Sequence, residues 1–206
     1  ALTSEDQQVL GQSLVRRLRA ARLLQGWTLA GGTGLALQLG HRYSEDLDFF
    51  RHGRSDLDRL VGTLAGVGKV VVQSRAAGTL HVVVDGLRVS FLEAQAPLLF
   101  PGTSYRGLTV ADTQDIAVMK IVAIGGRGSR KDFVDLYFYL RGAGGLDAVF
   151  SLLRRRFTEV DYNAYHLLKS LVFFEDAETE PMPRLIRDVS WHTITRAIVA
   201  EVKRVS

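Results

Sequence analysis

Apolar positions recur at helical spacing through residues 4–24, where Val9, Leu10, Leu14, Leu18, Ala21 and Leu24 alternate with arginines, predicting an amphipathic helix. A short apolar run at 27–30 stops at Gly31-Gly32, and 33–39 then reads as a short helix. Residues 46–50 alternate as a strand, and 57–64 read as a helix with Ser55 and Asp56 near its start. Three β-rich runs follow at 69–73, 79–84 and 87–92, and Asp85-Gly86 between the last two is a hairpin-turn signal. From Thr113 the period becomes helical, and Gly125-Gly126 and Gly128 are expected to break that first helix. Ser129-Arg130-Lys131-Asp132 has the form of a capping box, and 134–140, 146–157, 162–174 and 190–203 read as further helices. The pattern predicts an α+β protein, with a mixed α/β domain over 1–111 and a mostly helical domain over 112–206.

Composition narrows the function classes. The 206 residues suffice for one substantial domain or two small ones, and 47% apolar with 23% charged residues is the balance of a soluble globular protein. No window approaches the ~18 consecutive apolar residues of a membrane span, and no secretory leader pattern opens the chain. The absence of cysteine excludes disulfides and thiolate metal sites and fits a cytoplasmic location. The net charge of +4 is a weak pointer to nucleic acid. Its local distribution says more: Lys120, Arg127, Arg130 and Lys131 fall close together with no acid among them, and Arg154, Arg155 and Arg156 form a second cluster.

The candidate chemistry lies early in the chain. Gly31-Gly32-Thr33 is followed by Asp46-Leu47-Asp48-Phe49. Strand alternation points Asp46 and Asp48 to one side, roughly 6–7 Å apart, where two like charges call for a cation. Hard oxygen ligands of this kind suit Mg²⁺, which commonly takes one or two carboxylates plus substrate phosphates. Glycines permit a sharp turn and close approach of the backbone to a ligand, and the helix they open offers free N–H groups to phosphate. Thr33 either caps that helix or donates to a phosphate. Read blandly, the same residues are a glycine turn and an edge strand with two solvated acids.

Gly31-Gly32-Thr33 with Ser44-Glu45-Asp46-Leu47-Asp48 resembles the signature of the polymerase-β-type minimal nucleotidyltransferases. The later run from Met119-Lys120 through Arg127-Gly128-Ser129-Arg130-Lys131-Asp132 to Asp135 is similar to the AbiEii/AbiGii toxin family of abortive-infection and toxin–antitoxin systems. The resemblance implies a polymerase-β-like core followed by a helical domain that completes the active site. It implies a Mg²⁺-dependent toxin that transfers nucleotides from a nucleoside triphosphate to RNA, with the tRNA 3′ acceptor end the expected target, blocking translation, and a cognate antitoxin protein as partner. By the same resemblance Asp46 and Asp48 match the metal pair. Gly31, Gly32, Thr33 and Ser44 match the phosphate side, Lys120 and Arg127 basic positions of a third motif, and Asp132 and Asp135 a fourth. The catalytic set so implied is Asp46, Asp48, Lys120 and Asp135. One departure matters: such enzymes place a third carboxylate on a later strand, where relatives read Val-Asp-Phe and this chain reads Val89-Ser90-Phe91. Glu93 sits at an odd offset from Ser90, on the opposite strand face.

Each residue also has a plainer reading. Lys120 reaches phosphate as a point charge or is a snorkelling lysine. Asp132 binds nucleotide or merely caps a helix with Ser129. Asp135, among Phe133, Val134, Leu136, Tyr137 and Phe138, reads as a buried acid needing a partner, with Lys120, Arg127 or substrate as candidates. It is also a possible replacement for the missing base. Arg130, Lys131, Arg154, Arg155 and Arg156 are candidate RNA phosphate contacts or a solvated face. The histidines show no metal-ligand spacing, and His41 reads as structural. The competing functions are a catalytically degenerate nucleotide- or RNA-binding module and an Asp-x-Asp nucleotide-sugar glycosyltransferase.

Overall fold

The computed structural model describes residues 4–160 and 162–205. The chain divides into two compact units that are not contiguous in sequence. The first holds the residues through Thr33, 44–97 and 102–111; the second holds 34–43, 98–101 and the chain from Asp112 on.

The first unit is built on a mixed seven-stranded sheet in the order β3-β4-β5-β2-β1-β7-β6. Its strands are β1 (Thr28–Leu29), β2 (Leu47–His52), β3 (Val70–Ala76), β4 (Thr79–Val84), β5 (Leu87–Ala94), β6 (Thr103–Tyr105) and β7 (Leu108–Val110). β2 pairs in parallel with β5, and β1 with β7; the other neighbours are antiparallel. Alternation sets the faces. Leu47, Phe49, Leu80, Val82, Val89 and Phe91 are buried in one apolar core with Leu14 and Leu18 of α1 (Ser4–Ala20) and Leu57, Leu60 and Leu64 of α3 (Leu57–Leu64). The intervening residues of β2, β4 and β5 are left for the other face, which is only partly buried. Asp56 starts α3 by accepting the Arg59 N–H at 2.9 Å. The Asp85-Gly86 turn behaves as read: both residues have positive φ (50° and 87°), and Val84 pairs with Leu87.

α2 (Gly31–Leu39) opens in the first unit and continues into the second. The rest of the second unit is helical: α4 (Thr113–Arg127), α5 (Arg130–Ala143), α6 (Leu146–Arg156), α7 (Ala164–Ser170), α8 (Glu175–Glu178) and α9 (Trp191–Val205). They share a second core that includes Ile121, Phe133, Leu136, Leu146, Leu167 and Ile194. Asp112 caps α4 through the Gln114 N–H at 2.8 Å.

Several expected elements are corrected. The first helix ends at Ala20, the helix expected over 162–174 is shortened to α7 with α8 as a separate turn beyond it, and β6 and β7 lie in a stretch where no element is expected. α4 runs through Gly125-Gly126 to Arg127 instead of breaking there. The glycines are tolerated inside the helix, and at Gly125 the missing Cβ leaves room for the Leu167 side chain of α7, which a larger residue would push aside. Among the described residues no helix is long and apolar enough to cross a membrane.

Candidate active site

In the first unit, the turn and the strand meet as expected. Gly31 has φ +59°, and an ideal Cβ on it would lie 2.5 Å from Asp48 Oδ2. The carboxylate thus occupies the space a side chain would need, at the residue that opens α2. The Ala30 N–H donates to the Asp48 carbonyl at 2.9 Å and fixes this approach. Asp46 lies immediately before β2 and not within it. Thr33 Oγ1 donates to the Asp46 carbonyl and lies 2.9 Å from Ser44 Oγ. Thr33 is the third residue of α2, so its hydroxyl braces the Asp46 main chain and does not cap the helix. Arg88 Nε, one strand across, donates to Asp46 Oδ1 at 2.8 Å.

Ser90 is the direct register partner of Asp48 in the parallel β2–β5 pair. The position where the resemblance implies a third carboxylate therefore lies beside Asp48, with a hydroxyl in place of the acid. Glu93 does not replace it: it accepts the Ser55 N–H at 2.6 Å and lies against Gly78.

In the second unit the later motif forms a buried charge cluster. Asp135, fully buried, accepts from Arg42 through both oxygens at 2.6 and 2.9 Å and lies 2.8 Å from His41 Nε2 and 2.7 Å from Lys120 Nζ. Burial alone would raise the Asp135 carboxyl; Lys120, His41 and Arg42 outweigh it and hold it far below the usual carboxylate range. A carboxylate so held is a poor proton acceptor, which weighs against Asp135 as the replacement base. Lys120 is buried and also bonds Asp132 at 2.7 Å; burial would lower its ammonium, but the two acids raise it. It is therefore enclosed by carboxylates instead of snorkelling into solvent. Asp132 Oδ2 in turn takes the Ser129 hydroxyl at 2.6 Å and the Ser129 N–H at 3.3 Å. Of the partners considered for Asp135, Lys120 is used, while Arg127 is exposed and lies 3.9 Å from Glu180. His41 is buried, and its carbonyl accepts the N–H groups of Ile186 and Arg187.

The candidate RNA contacts separate by environment. Arg156 is buried against Asp115, whose carboxylate also accepts the Leu99 and Phe100 N–H groups. Arg130 stacks on Trp191 and donates to the carbonyls of Ala177 and Glu178. Arg156 is thus committed to an internal ion pair, and the half-buried Arg130 to Trp191 and two carbonyls. Lys131, Arg154 and Arg155 are exposed.

Sequence reasoning passed over Arg42, Arg88 and His81. The last was legible in part, because a two-residue turn at Asp85-Gly86 dictates that His81 pairs with Ser90, as it does. Among the described residues no group of three or more acidic or histidine side chains could hold a metal. The Asp48 carboxylate at the glycine-opened helix, with Asp46 two residues before it, nevertheless suits Mg²⁺ arriving bound to a triphosphate, whose oxygens would supply the remaining ligands.

The model of the nucleotidyl transferase AbiEii toxin family, type IV toxin–antitoxin system, matches residues 12–204. An uncharacterized protein of Aquifex aeolicus is 39% identical over 160 residues, 74% of this chain and 75% of that protein. In fold the chain is similar to JHP933 from Helicobacter pylori, with a TM-score of 0.59 at 15% identity over 100% of this chain and 93% of the other. It is likewise similar to MenT4, a nucleotidyltransferase toxin from Mycobacterium tuberculosis, with a TM-score of 0.54 at 18% identity over 98% and 90%.

Proposed function

The chain belongs to the AbiEii nucleotidyl transferase toxin family of toxin–antitoxin systems, and from that premise we propose that it transfers a nucleotide from a Mg²⁺-bound nucleoside triphosphate to RNA. The proposed acceptor is the 3′ end of tRNA, and the consequence a block of translation that a cognate antitoxin protein relieves. The observation that carries this reading is the packing of the Asp48 carboxylate against Gly31 at the opening of α2.

In this reading Asp46 and Asp48 would hold the metal, which when bound would offset the triphosphate charge and polarise the α-phosphorus. The backbone at Gly31 and Gly32 and the first N–H groups of α2 take phosphate oxygens. Thr33 and Ser44 keep Asp46 in place. Arg127, exposed, remains available to the nucleotide. Lys120, Asp132 and Asp135 act as positioning residues: their cluster holds His41 and Arg42, the residues that follow α2. Lys131, Arg154 and Arg155 are the proposed RNA phosphate contacts. Most of the rate enhancement then comes from placing the attacking oxygen in line and stabilising charge.

The glycosyltransferase alternative has no counterpart in the matched family. Ser90 sustains the second reading, a degenerate module that binds nucleotide without transferring it. Incubation with total bacterial tRNA, Mg²⁺ and each α-labelled nucleoside triphosphate separates the two, with Asp48→Ala as control. Label on RNA with the parent protein alone supports transfer and names the nucleotide; nucleotide binding without label supports the degenerate module.

A further inference from the structure

The polar face of the sheet carries a continuous row. Asp48 on β2, Ser90 on β5, His81 on β4 and Ser74 on β3 are successive register partners across four strands. The rows on either side, Leu47-Val89-Val82 and Phe49-Phe91-Leu80, are buried in the core, so the polar row faces the other way as a unit. Within it His81 Nδ1 lies 3.0 Å from Ser90 Oγ. Both side chains are part-buried, on the same sheet face as Asp48.

We propose that His81, oriented by Ser90, is the proton acceptor for the attacking hydroxyl. This rests on the transfer reaction proposed above. Replacing an acid by Ser90 removes both a negative charge and a base, since a serine hydroxyl does not accept a proton at neutral pH. An imidazole in the next register position restores the base without the charge. Neighbouring strands lie about 4.8 Å apart, so His81 and Asp48 are roughly 9–10 Å apart at the backbone. The proposal places the acceptor hydroxyl over Ser90, the smallest side chain of the three, with Asp48 on one side and the imidazole on the other.

The contact with Ser90 is compatible with the tautomer that the proposed step needs. In that tautomer Nδ1–H donates to Ser90 Oγ, and Nε2 keeps its lone pair for the hydroxyl proton. The acceptor oxygen forms a bond to the α-phosphorus as the α–β bridging P–O bond breaks and pyrophosphate leaves. The hydroxyl proton passes to Nε2, and the resulting imidazolium later releases it to water.

The test compares the wild type with His81→Gln and Ser90→Ala, reading kcat for label transfer, nucleotide affinity with a fluorescent nucleoside triphosphate, and melting temperature. The expected result for His81→Gln is a fall in kcat of about 10²–10⁴-fold with affinity and melting temperature unchanged. Ser90→Ala removes the orienting bond and is expected to lower kcat roughly tenfold, again without loss of affinity. Wild-type kcat in His81→Gln, or a loss carried wholly by weaker nucleotide binding, overturns the assignment. Should His81→Gln fail to fold, full kcat in Ser90→Ala overturns it instead. Absence of transfer by the wild type is a different result, since it brings down the functional reading itself.

Discussion

The Asp48 carboxylate and the Gly31 backbone exclude any side chain from the space they share: an ideal Cβ on Gly31 would lie 2.5 Å from Asp48 Oδ2. Gly40 provides an internal comparison, because it has the same φ of +59° with nothing within 4 Å of its Cβ position. Gly40→Ala should therefore lose only the cost of a left-handed alanine, about 1–2 kcal/mol. Gly31→Ala should lose more than that and also displace Asp48, weakening Mg²⁺–nucleotide binding about tenfold or more, which is about 1.4 kcal/mol or greater. Calorimetric titration and thermal melts of the two variants check the difference.

Asp46→Asn and Asp48→Asn keep the side-chain shape and remove the charge. Transfer should fall on the order of 10²-fold or more. The exposed Asp46–Arg88 pair contributes at most about 1 kcal/mol, so the Asp46→Asn melting temperature should move by only a few degrees. Label transfer and circular dichroism on the same preparations separate loss of the site from loss of the fold.

Much of this arrangement was legible in the sequence. The glycine turn, the acid pair and the Asp85-Gly86 hairpin each rest on local chemistry, where a few adjacent residues decide the conformation. β6 and β7 escaped because they are only three residues long; β6 is exposed throughout and shows no alternation, and the Leu108-Thr109-Val110 alternation of β7 is too short to stand out. The course of α4 through Gly125-Gly126 escaped because glycine's low helix propensity is a local signal, while the packing of Gly125 against Leu167 is set far along the chain. Asp135 could be recognised as a buried acid, but not that His41 and Arg42 would meet it, since nothing local links positions so distant.

The Asp135 cluster should govern stability against acid. Its folded-state carboxyl is depressed, so its contribution is present above the ordinary carboxylate range, near about pH 4, and is lost as the pH falls below it. Asp135→Asn leaves Lys120 and Arg42 buried without their shared anion and should destabilise by about 3–5 kcal/mol. Denaturant melts at neutral pH and below about pH 4 should show the wild type losing this margin while the variant, lacking it, changes less.

Basic residues should divide into two groups. Lys131→Ala, Arg154→Ala and Arg155→Ala should weaken RNA binding, and each should lower the dependence of log K on log salt by about one for the phosphate it no longer neutralises. Arg130→Ala and Arg156→Ala should lower the melting temperature instead, the latter because it strands the buried Asp115. Filter binding across a salt series, run alongside melts, distinguishes these outcomes.

The interleaving of the two units has a consequence for how the chain is made. Residues 34–43 leave the ribosome early, yet the unit they join takes most of its mass from Asp112 onward. His41 and Arg42 therefore wait through the synthesis of more than ninety residues before Asp135 emerges to receive them. A nascent chain cut after residue 111 carries both side chains with no anion to bury beside them. A separately expressed fragment from Asp112 on carries an acid stripped of two of its three partners. Neither half is a self-sufficient module, so complementation by split fragments should demand a break elsewhere, such as the exposed stretch at 158–160.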